Sequence, residues 1–357
     1  MAEHFHALEI SDIVPETDDA VSIRFHVPPE LVGSFKFKAG QHLTLKADIG
    51  GAEVRRNYSL CTDPADNDLM VTVKRIAGGV FSNWAADNLK AGDSIEVMTP
   101  HGSFTMPAGE AGARHYAGFA GGSGITPVIS LIRTTLAADT DSRFTLFYGN
   151  RDSTSVIFLD ALADLKDRFM GRFELYHFLS DEEQDIDLFN GMLDHATCSA
   201  AIEQLVSDPV EIAHWFICGP GPMMDAAEEA LLERGVDKAR VHIERFTAGR
   251  PSAAVTAALS QAQAEAAGLN VAVTLDGRTR RIDFNGENIL DSALEAGLSA
   301  PFACKAGVCA TCRAKVLSGK VEMAVHYGLS DEEVAAGYVL TCQSVPVGDG
   351  VAVDYDG

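Results

Sequence analysis

Nowhere do the 357 residues assemble the roughly 18 consecutive apolar side chains that a membrane helix needs. The opening Met-Ala-Glu-His-Phe-His lacks the basic-then-apolar layout of a signal peptide. A cytoplasmic protein with no membrane partner is therefore the expectation. Positive charge is also scarce: 28 Lys and Arg stand against 51 Asp and Glu, a net charge of −23. Nucleic acid and anionic lipid would both repel such a chain. The acidic excess favours solubility, or an acidic docking face for a basic partner. It marks no single face, because the stretch beyond Leu269 holds 12 acidic and 7 basic side chains along its whole length. No internal repeats occur. Disulfides are not expected of seven cysteines in a reducing compartment.

Four of those cysteines fall into a pattern. Cys304, Cys309, Cys312 and the distant Cys342 have the spacing C-x4-C-x2-C…C, the ligand spacing of a plant-type [2Fe–2S] cluster. The small residues Ala306, Gly307, Ala310 and Thr311 between them let backbone N–H groups approach the sulfurs. Cys342 lies in an apolar run, 339–344, that reads as a strand returning to the loop. The alternative is a structural zinc site, but zinc sites pair C-x2-C with a second C-x2-C or a His pair, and the x4 arm departs from that. Such a cluster carries one electron at a time.

The remainder of the chain divides by periodicity. Residues 1–110 hold short alternating apolar runs at 5–13, 20–27, 42–47, 54–60, 69–76 and 94–98, separated by turn residues such as Gly50-Gly51. Strands at that spacing predict a small antiparallel β-barrel. Over 111–247, apolar strands at 115–120, 144–148, 173–179, 212–218 and near Val241 alternate with helical stretches at 128–138, 158–168 and 223–234. That alternation predicts a doubly wound α/β domain. Residues 248–268, mostly Ala, Gln, Ser and Glu, read as a part-helical linker. Residues 269–357 form a compact last domain, with strands at 270–275 and 280–284 and a helix at 289–296.

Each of the first two domains carries candidate binding residues. Arg55-Arg56-Asn57-Tyr58-Ser59-Leu60 offers a guanidinium for a pyrophosphate, with Tyr58 and Ser59 available to a flavin ring; the plain alternative is an edge strand with exposed arginines. Downstream, Lys74-Arg75-Ile-Ala-Gly78-Gly79-Val-Phe-Ser82 has glycines opening a helix, where backbone N–H groups hold phosphate. Gly121-Gly122-Ser123-Gly124-Ile125-Thr126-Pro127 follows the first strand of the second domain, as a dinucleotide fingerprint requires. Cys218-Gly219-Pro220-Gly221-Pro222-Met223 ends the fourth strand, where Cys218 is either a site residue or a buried thiol. Arg151 ends the second strand and suits the 2′-phosphate of NADPH, although Asp152 beside it argues the other way. Cys61, Cys198 and His101 have no partner by spacing and are expected to be structural.

These motifs resemble the ferredoxin–NADP reductase superfamily with a C-terminal ferredoxin domain. The stretches RRNYSLC, GGVFSN, YGNR, CGPGPMM and GVCATCRAKV are similar to the reductase subunits of phenylacetyl-CoA epoxidases. The resemblance implies an antiparallel flavin barrel, an α/β nicotinamide domain and a β-grasp-like ferredoxin domain. It implies FAD, NADPH and a [2Fe–2S] cluster, with a di-iron oxygenase subunit complex as electron acceptor. Catalytic roles are implied for Ser59 and Cys218. Arg56, Tyr58, Ser59, Lys74, Gly79 and Ser82 would bind flavin. Gly122, Gly124, Thr126, Arg151, Cys218, Gly219, Pro220 and Met223 would bind nicotinamide nucleotide, and Phe246 would lie against the flavin. The same architecture also serves other ring oxygenases and monooxygenases, some of them NADH-dependent.

Overall fold

Side chains that alternate between buried and exposed organise the first hundred residues, as in Leu8 and Ile10, both fully buried, on either side of exposed Glu9. The computed structural model describes residues 5–107, 114–247, 253–266, 268–284 and 286–357. They divide into two units, 5–54 with 58–244, and 55–57 with 245–357.

The first unit opens with β1 (Phe5–Thr17), β2 (Ala20–His26), β3 (His42–Ile49), β4 (Ala52–Ser59), β5 (Leu69–Lys74), helix α1 (Val80–Asn88) and β6 (Ser94–Met98). The strands run in the order β4-β3-β6-β1-β2-β5. An antiparallel bridge from Leu60 to Val71 joins the two ends of that order, which is how a barrel loses its free edges. Leu8, Ile23, Leu43, Leu45, Val71 and Val97 fill its interior. Each such side chain stabilises the fold by about 1.5–3 kcal/mol when fully buried.

A parallel sheet follows: β7 (His115–Gly121), α2 (Ile125–Ala138), β8 (Arg143–Asn150), α3 (Leu159–Arg168), β9 (Phe173–Leu179), α4 (His195–Leu205), β10 (Trp215–Cys218), α5 (Gly221–Glu233) and β11 (Val241–Glu244). The strand order is β11-β10-β7-β8-β9. The chain moves outward from β7 in one direction and then resumes on its other side with β10. The two connections therefore diverge between β7 and β10, and a crevice opens there at the carboxyl ends of the strands. Phe119, Phe147 and Trp215 stack within this sheet, with ring centroids 4.7 Å apart for Phe119 and Phe147.

In the second unit lie α6 (Ala253–Ala266), β12 (Asn270–Leu275), β13 (Arg278–Asp283), α7 (Ile289–Glu295), β14 (Arg313–Met323), α8 (Asp331–Ala335), β15 (Tyr338–Leu340) and β16 (Ser344–Asp354). Their order is β13-β12-β16-β14-β15, with β12 and β16 parallel and the other pairs antiparallel. Helix α7 packs its Ile289, Leu290 and Ala293 into the sheet's core, giving a β-grasp-like domain.

Two expectations change. The stretch read as a part-helical linker does hold a helix, α6, but its Leu259, Ala262 and fully buried Ala266 pack on the core of the mixed sheet; alanines that look too small to anchor a segment allow a helix to approach closely. Cys342 sits on a 3-10 turn, Thr341–Gln343, between β15 and β16, not within a strand. Among the described residues no helix is long and apolar enough to cross a membrane.

Candidate functional site

The cysteine loop is shaped by a run of left-handed backbone. Lys305, Gly307 and Ala310 all have positive φ, at 52°, 73° and 54°. A Cβ on Gly307 would meet a Val325 methyl at 2.7 Å. This winding turns N–H groups toward sulfur: Ala306 N–H donates to Cys304 Sγ at 3.3 Å, and the N–H groups of Val308, Thr311 and Gly307 address Cys304, Cys309 and Cys342. The Gln343 side-chain amide donates to Cys342 Sγ at 3.5 Å.

The four thiols associate in pairs, Cys304 with Cys309 and Cys312 with Cys342. In each pair the donating thiol, Cys304 or Cys312, is pushed up, and the accepting one, Cys309 or Cys342, is pulled down by the bond it receives. A single tetrahedral zinc with bonds of about 2.3 Å needs all four sulfurs about 3.8 Å apart. No three of these sulfurs lie within 4.8 Å of one another; the one group among the described residues that does so is His195, Glu229 and Glu233. Two pairs, each able to hold one iron and ringed by N–H donors, fit a two-iron cluster better than one zinc ion.

The glycine turns of the first unit converge at the sheet's crevice. A Cβ on Gly124 would sit 2.0 Å from the Cys218 carbonyl oxygen, and one on Gly121 would sit 2.6 Å from Pro220 Cδ. Gly219 likewise faces Gly121 N, at 2.9 Å from its would-be Cβ. The turn after β7 and the turn after β10 are thus packed backbone to backbone. Helix α2 begins there with no side-chain cap, its Ile125 N–H bonded back to the Gly122 and Ser123 carbonyls, so no side chain stands between an anion and this positive helix end. Thr126 is buried, its hydroxyl donating to the Ser123 carbonyl at 3.0 Å, so it shapes the turn. Met223 is largely buried behind the turn, whereas Pro220 is exposed. Gly79 opens α1 in the same uncapped way, and Ser82 Oγ accepts from Ile76 N–H at 3.2 Å, holding the preceding loop. Lys74 reaches toward the crevice: its Nζ is 3.6 Å from where a Gly122 Cβ would be. These uncapped helix starts and the lysine fit a pyrophosphate-bearing cofactor.

Beside the turn that follows β10, on the β11 side, lies a network that the sequence pattern missed. Ser59, buried at the end of β4, donates through Oγ to Glu244 Oε2 at 3.3 Å. Glu244 ends β11 in register with Cys218, which is in register with Ala120 on the other side. Cys218 is fully buried, and burial followed by the Glu244 charge pushes its thiol well up, so it is a neutral thiol. On the far side of Glu244, His42 Nδ1 lies 3.6 Å from Oε1. His101, expected to be a lone structural residue, packs edge-on against His42 with ring centroids 4.2 Å apart. The only sequence signal was Glu244 two residues before Phe246, the aromatic expected to lie against the flavin.

Other candidates are placed less decisively. Arg56 is exposed and donates to the Arg55 carbonyl at 2.7 Å. Tyr58 is half-buried, its ring 5.7 Å from Phe81. Arg151 is 61% exposed, with Nη2 at 3.5 Å from Asp19, which also faces Lys74 Nζ at 3.7 Å. Asp152 accepts from Ser155 N–H at 2.9 Å and from Thr154 Oγ1 at 2.7 Å, so the carboxylate that argued against a 2′-phosphate is occupied in capping a turn. Phe246 is 39% exposed. Burial pushes the thiols of Cys61 and Cys198 up to about 12, and both are inert core groups.

Comparison with known proteins agrees with this geometry. Residues 7–106 match an oxidoreductase FAD-binding domain, 119–229 an oxidoreductase NAD-binding domain, and 273–347 a 2Fe-2S iron-sulfur cluster binding domain. The chain is 44% identical over 355 residues to a 1,2-phenylacetyl-CoA epoxidase subunit of Escherichia coli K12, covering 99% of this chain and 98% of that protein. It is 38% identical over 367 residues to the ferredoxin reductase component of 3-ketosteroid-9-alpha-monooxygenase from Mycobacterium tuberculosis, covering 100% and 97%. Among solved structures it resembles phthalate dioxygenase reductase, with a TM-score of 0.61 at 26% identity over 98% of both chains.

Proposed function

Since the chain belongs to the family of flavin and iron–sulfur reductases that includes this 1,2-phenylacetyl-CoA epoxidase component, we propose that it takes electrons from NADPH and passes them one at a time to the di-iron oxygenase component of a phenylacetyl-CoA epoxidase. The chain is an oxidoreductase with FAD-binding, NAD-binding and [2Fe–2S] domains. One observation carries the proposal: two paired-thiol iron positions share a polypeptide with two uncapped, glycine-opened helix starts.

When bound, nicotinamide supplies a hydride, flavin accepts the pair and releases it singly, and the cluster carries single electrons. The residues here bind, orient and manage protons. The helix start at α1, with Lys74, would hold the flavin's phosphates, and the start of α2 would hold the nucleotide's. Close packing of Gly124 on Cys218 fixes the two turns as one rigid floor. Cys218 offers a neutral, apolar thiol beside Glu244, so no thiolate competes for reaction. Ser59 and Glu244 form a hydrogen-bonded donor–acceptor pair through which a proton can move. Arg151 supplies the charge for a 2′-phosphate, which would replace Asp19 as its partner.

Purified anaerobically, the chain should contain FAD, two irons and two sulfides, and should support epoxidation when NADPH and the oxygenase component of the Escherichia coli system are added. Rapid NADPH oxidation with no product in that mixture would overturn the choice of partner. The 38% identity to a 3-ketosteroid monooxygenase reductase supports a second reading, another monooxygenase as acceptor; NADH in place of NADPH is the matching alternative for the donor. Swapping the oxygenase component and the nucleotide separates the two.

A further inference from the structure

The arginine that would read a 2′-phosphate, Arg151 just after β8, is held by a carboxylate from the barrel. Resting on the function proposed above, we propose that this carboxylate, Asp19, sets how strongly the chain prefers NADPH to NADH. It occupies Arg151 and opposes the 2′-phosphate that would take its place. Asp19 stands in the two-residue turn between β1 and β2. The turn fixes it at both ends. Its backbone carbonyl accepts from Arg75 N–H at 2.7 Å. The Thr17 hydroxyl donates to its Oδ1 at 2.8 Å. Oδ2 then faces two cations, Lys74 Nζ at 3.7 Å and Arg151 Nη2 at 3.5 Å. Among the described residues no other carboxylate forms an ion pair with either cation. Lys74 also lies beside the turn that opens α2, 3.6 Å from where a Gly122 Cβ would be. One held carboxylate therefore serves both the lysine at the phosphate turn and the arginine after β8.

Charge counting gives the direction of the effect. Lys74 and Arg151 bring two positive charges, and Asp19 cancels one of them. A phosphate monoester carries roughly −1.5 to −2 at neutral pH. Two uncompensated cations match that charge, and the single one left beside Asp19 does not. NADPH must therefore displace Asp19 from Arg151 or bind next to a like charge. NADH has only a hydroxyl at that position and requires neither, so the ion pair stays intact. Asp19 thus weakens the binding of NADPH and spares that of NADH. Arg151 is 61% exposed, so solvent screening keeps the effect modest. Asp19 falls in the stretch that matches an FAD-binding domain, and Arg151 in the stretch that matches an NAD-binding domain. Part of the nucleotide preference is accordingly set from outside the nucleotide's own domain.

The test uses the full holo-chain and two ligands that differ only in the 2′-phosphate, adenosine 2′,5′-bisphosphate and 5′-AMP. Calorimetric titration of Asp19→Asn, which keeps an acceptor for Thr17, should show the bisphosphate binding about three- to fivefold tighter, with 5′-AMP unchanged. Asp19→Ser removes the same charge and should give the same gain, which keeps the test open if the first variant folds poorly. KM for NADPH should fall by the same factor in both variants, and KM for NADH should not. On an Arg151→Ala background, replacing Asp19 should lose most of its effect. Unchanged bisphosphate affinity, or an equal gain for 5′-AMP, overturns the role of Asp19. A gain that persists in full without Arg151 overturns it too. If neither parent nor variants prefer the bisphosphate to 5′-AMP, the choice of NADPH in the functional reading fails as well. A bisphosphate preference that ignores Asp19 leaves that reading standing and removes this proposal alone.

Discussion

The cysteine loop and the Ser59–Glu244 network solve the same problem, placing reactive atoms in a fixed array, by opposite means. The loop does it locally. Three of its four thiols lie within nine residues, and positive-φ backbone at Lys305, Gly307 and Ala310 bends the chain around them. The network does it globally: Ser59 and Glu244 are 185 positions apart and meet because β4 closes a barrel and β11 ends a parallel sheet. A local array announces itself by spacing, and a global one has no spacing to read. It should also follow that local arrays fail by chemistry and global ones by packing.

The sharpest test of that contrast is Cys309→Ser. It removes one sulfur and leaves the barrel and parallel sheet untouched. Electron delivery to a one-electron protein acceptor should drop by more than about 100-fold, beyond what the loss of a mere outer-shell partner costs, while NADPH-dependent ferricyanide reduction by the flavin persists. Loss of both in a folded protein would end the idea that the two arrays are separable. Gly124→Ala touches no reacting atom, yet its methyl would sit 2.0 Å from the Cys218 carbonyl. A stability loss of about 2 kcal/mol or more, with both activities falling together, is expected from such overpacking; a denaturant midpoint equal to the parent's would contradict it. Arg151→Ala should raise KM for NADPH about tenfold relative to NADH, the worth of one charged hydrogen bond. Equal changes for both nucleotides would take Arg151 out of specificity.

A further effect is on pH. His101 is held neutral, down to about 3 from its ordinary 6.5. The unfolded chain binds a proton in that window and the folded chain does not, so stability falls as pH drops from 6.5 toward 3. Burial lowers His115 and His177 in the same direction. His101→Phe should flatten the acid limb of the stability curve by at most about 1.4 kcal/mol per pH unit, read from urea midpoints between pH 4 and 7.

What could be read beforehand follows the same division. The barrel strands, the alternating strands and helices, and the four-cysteine pattern all carry short-range signals: period-two burial, apolar runs between turns, and thiol spacing. The glycine turns were legible as phosphate loops, but the need for Gly124 to clear β10 was not, since Cys218 lies far off in sequence. Helix α4 went unread because its start carries only Asp194 as a cap, with a modest apolar face. His101 looked solitary until an antiparallel bridge to His42 set the two side by side. Asp152 looked like an obstacle to NADPH because its role as a turn cap depends on backbone geometry.

Helix α6 has a practical consequence for dissecting or recombining such reductases. Leu259, Ala262 and Ala266 cover the mixed sheet, so the iron–sulfur portion does not start at its first strand. Grafting it onto another reductase calls for a cut upstream of Ala253. A graft begun at Gly268 would strip that cover away and leave an apolar patch inviting self-association.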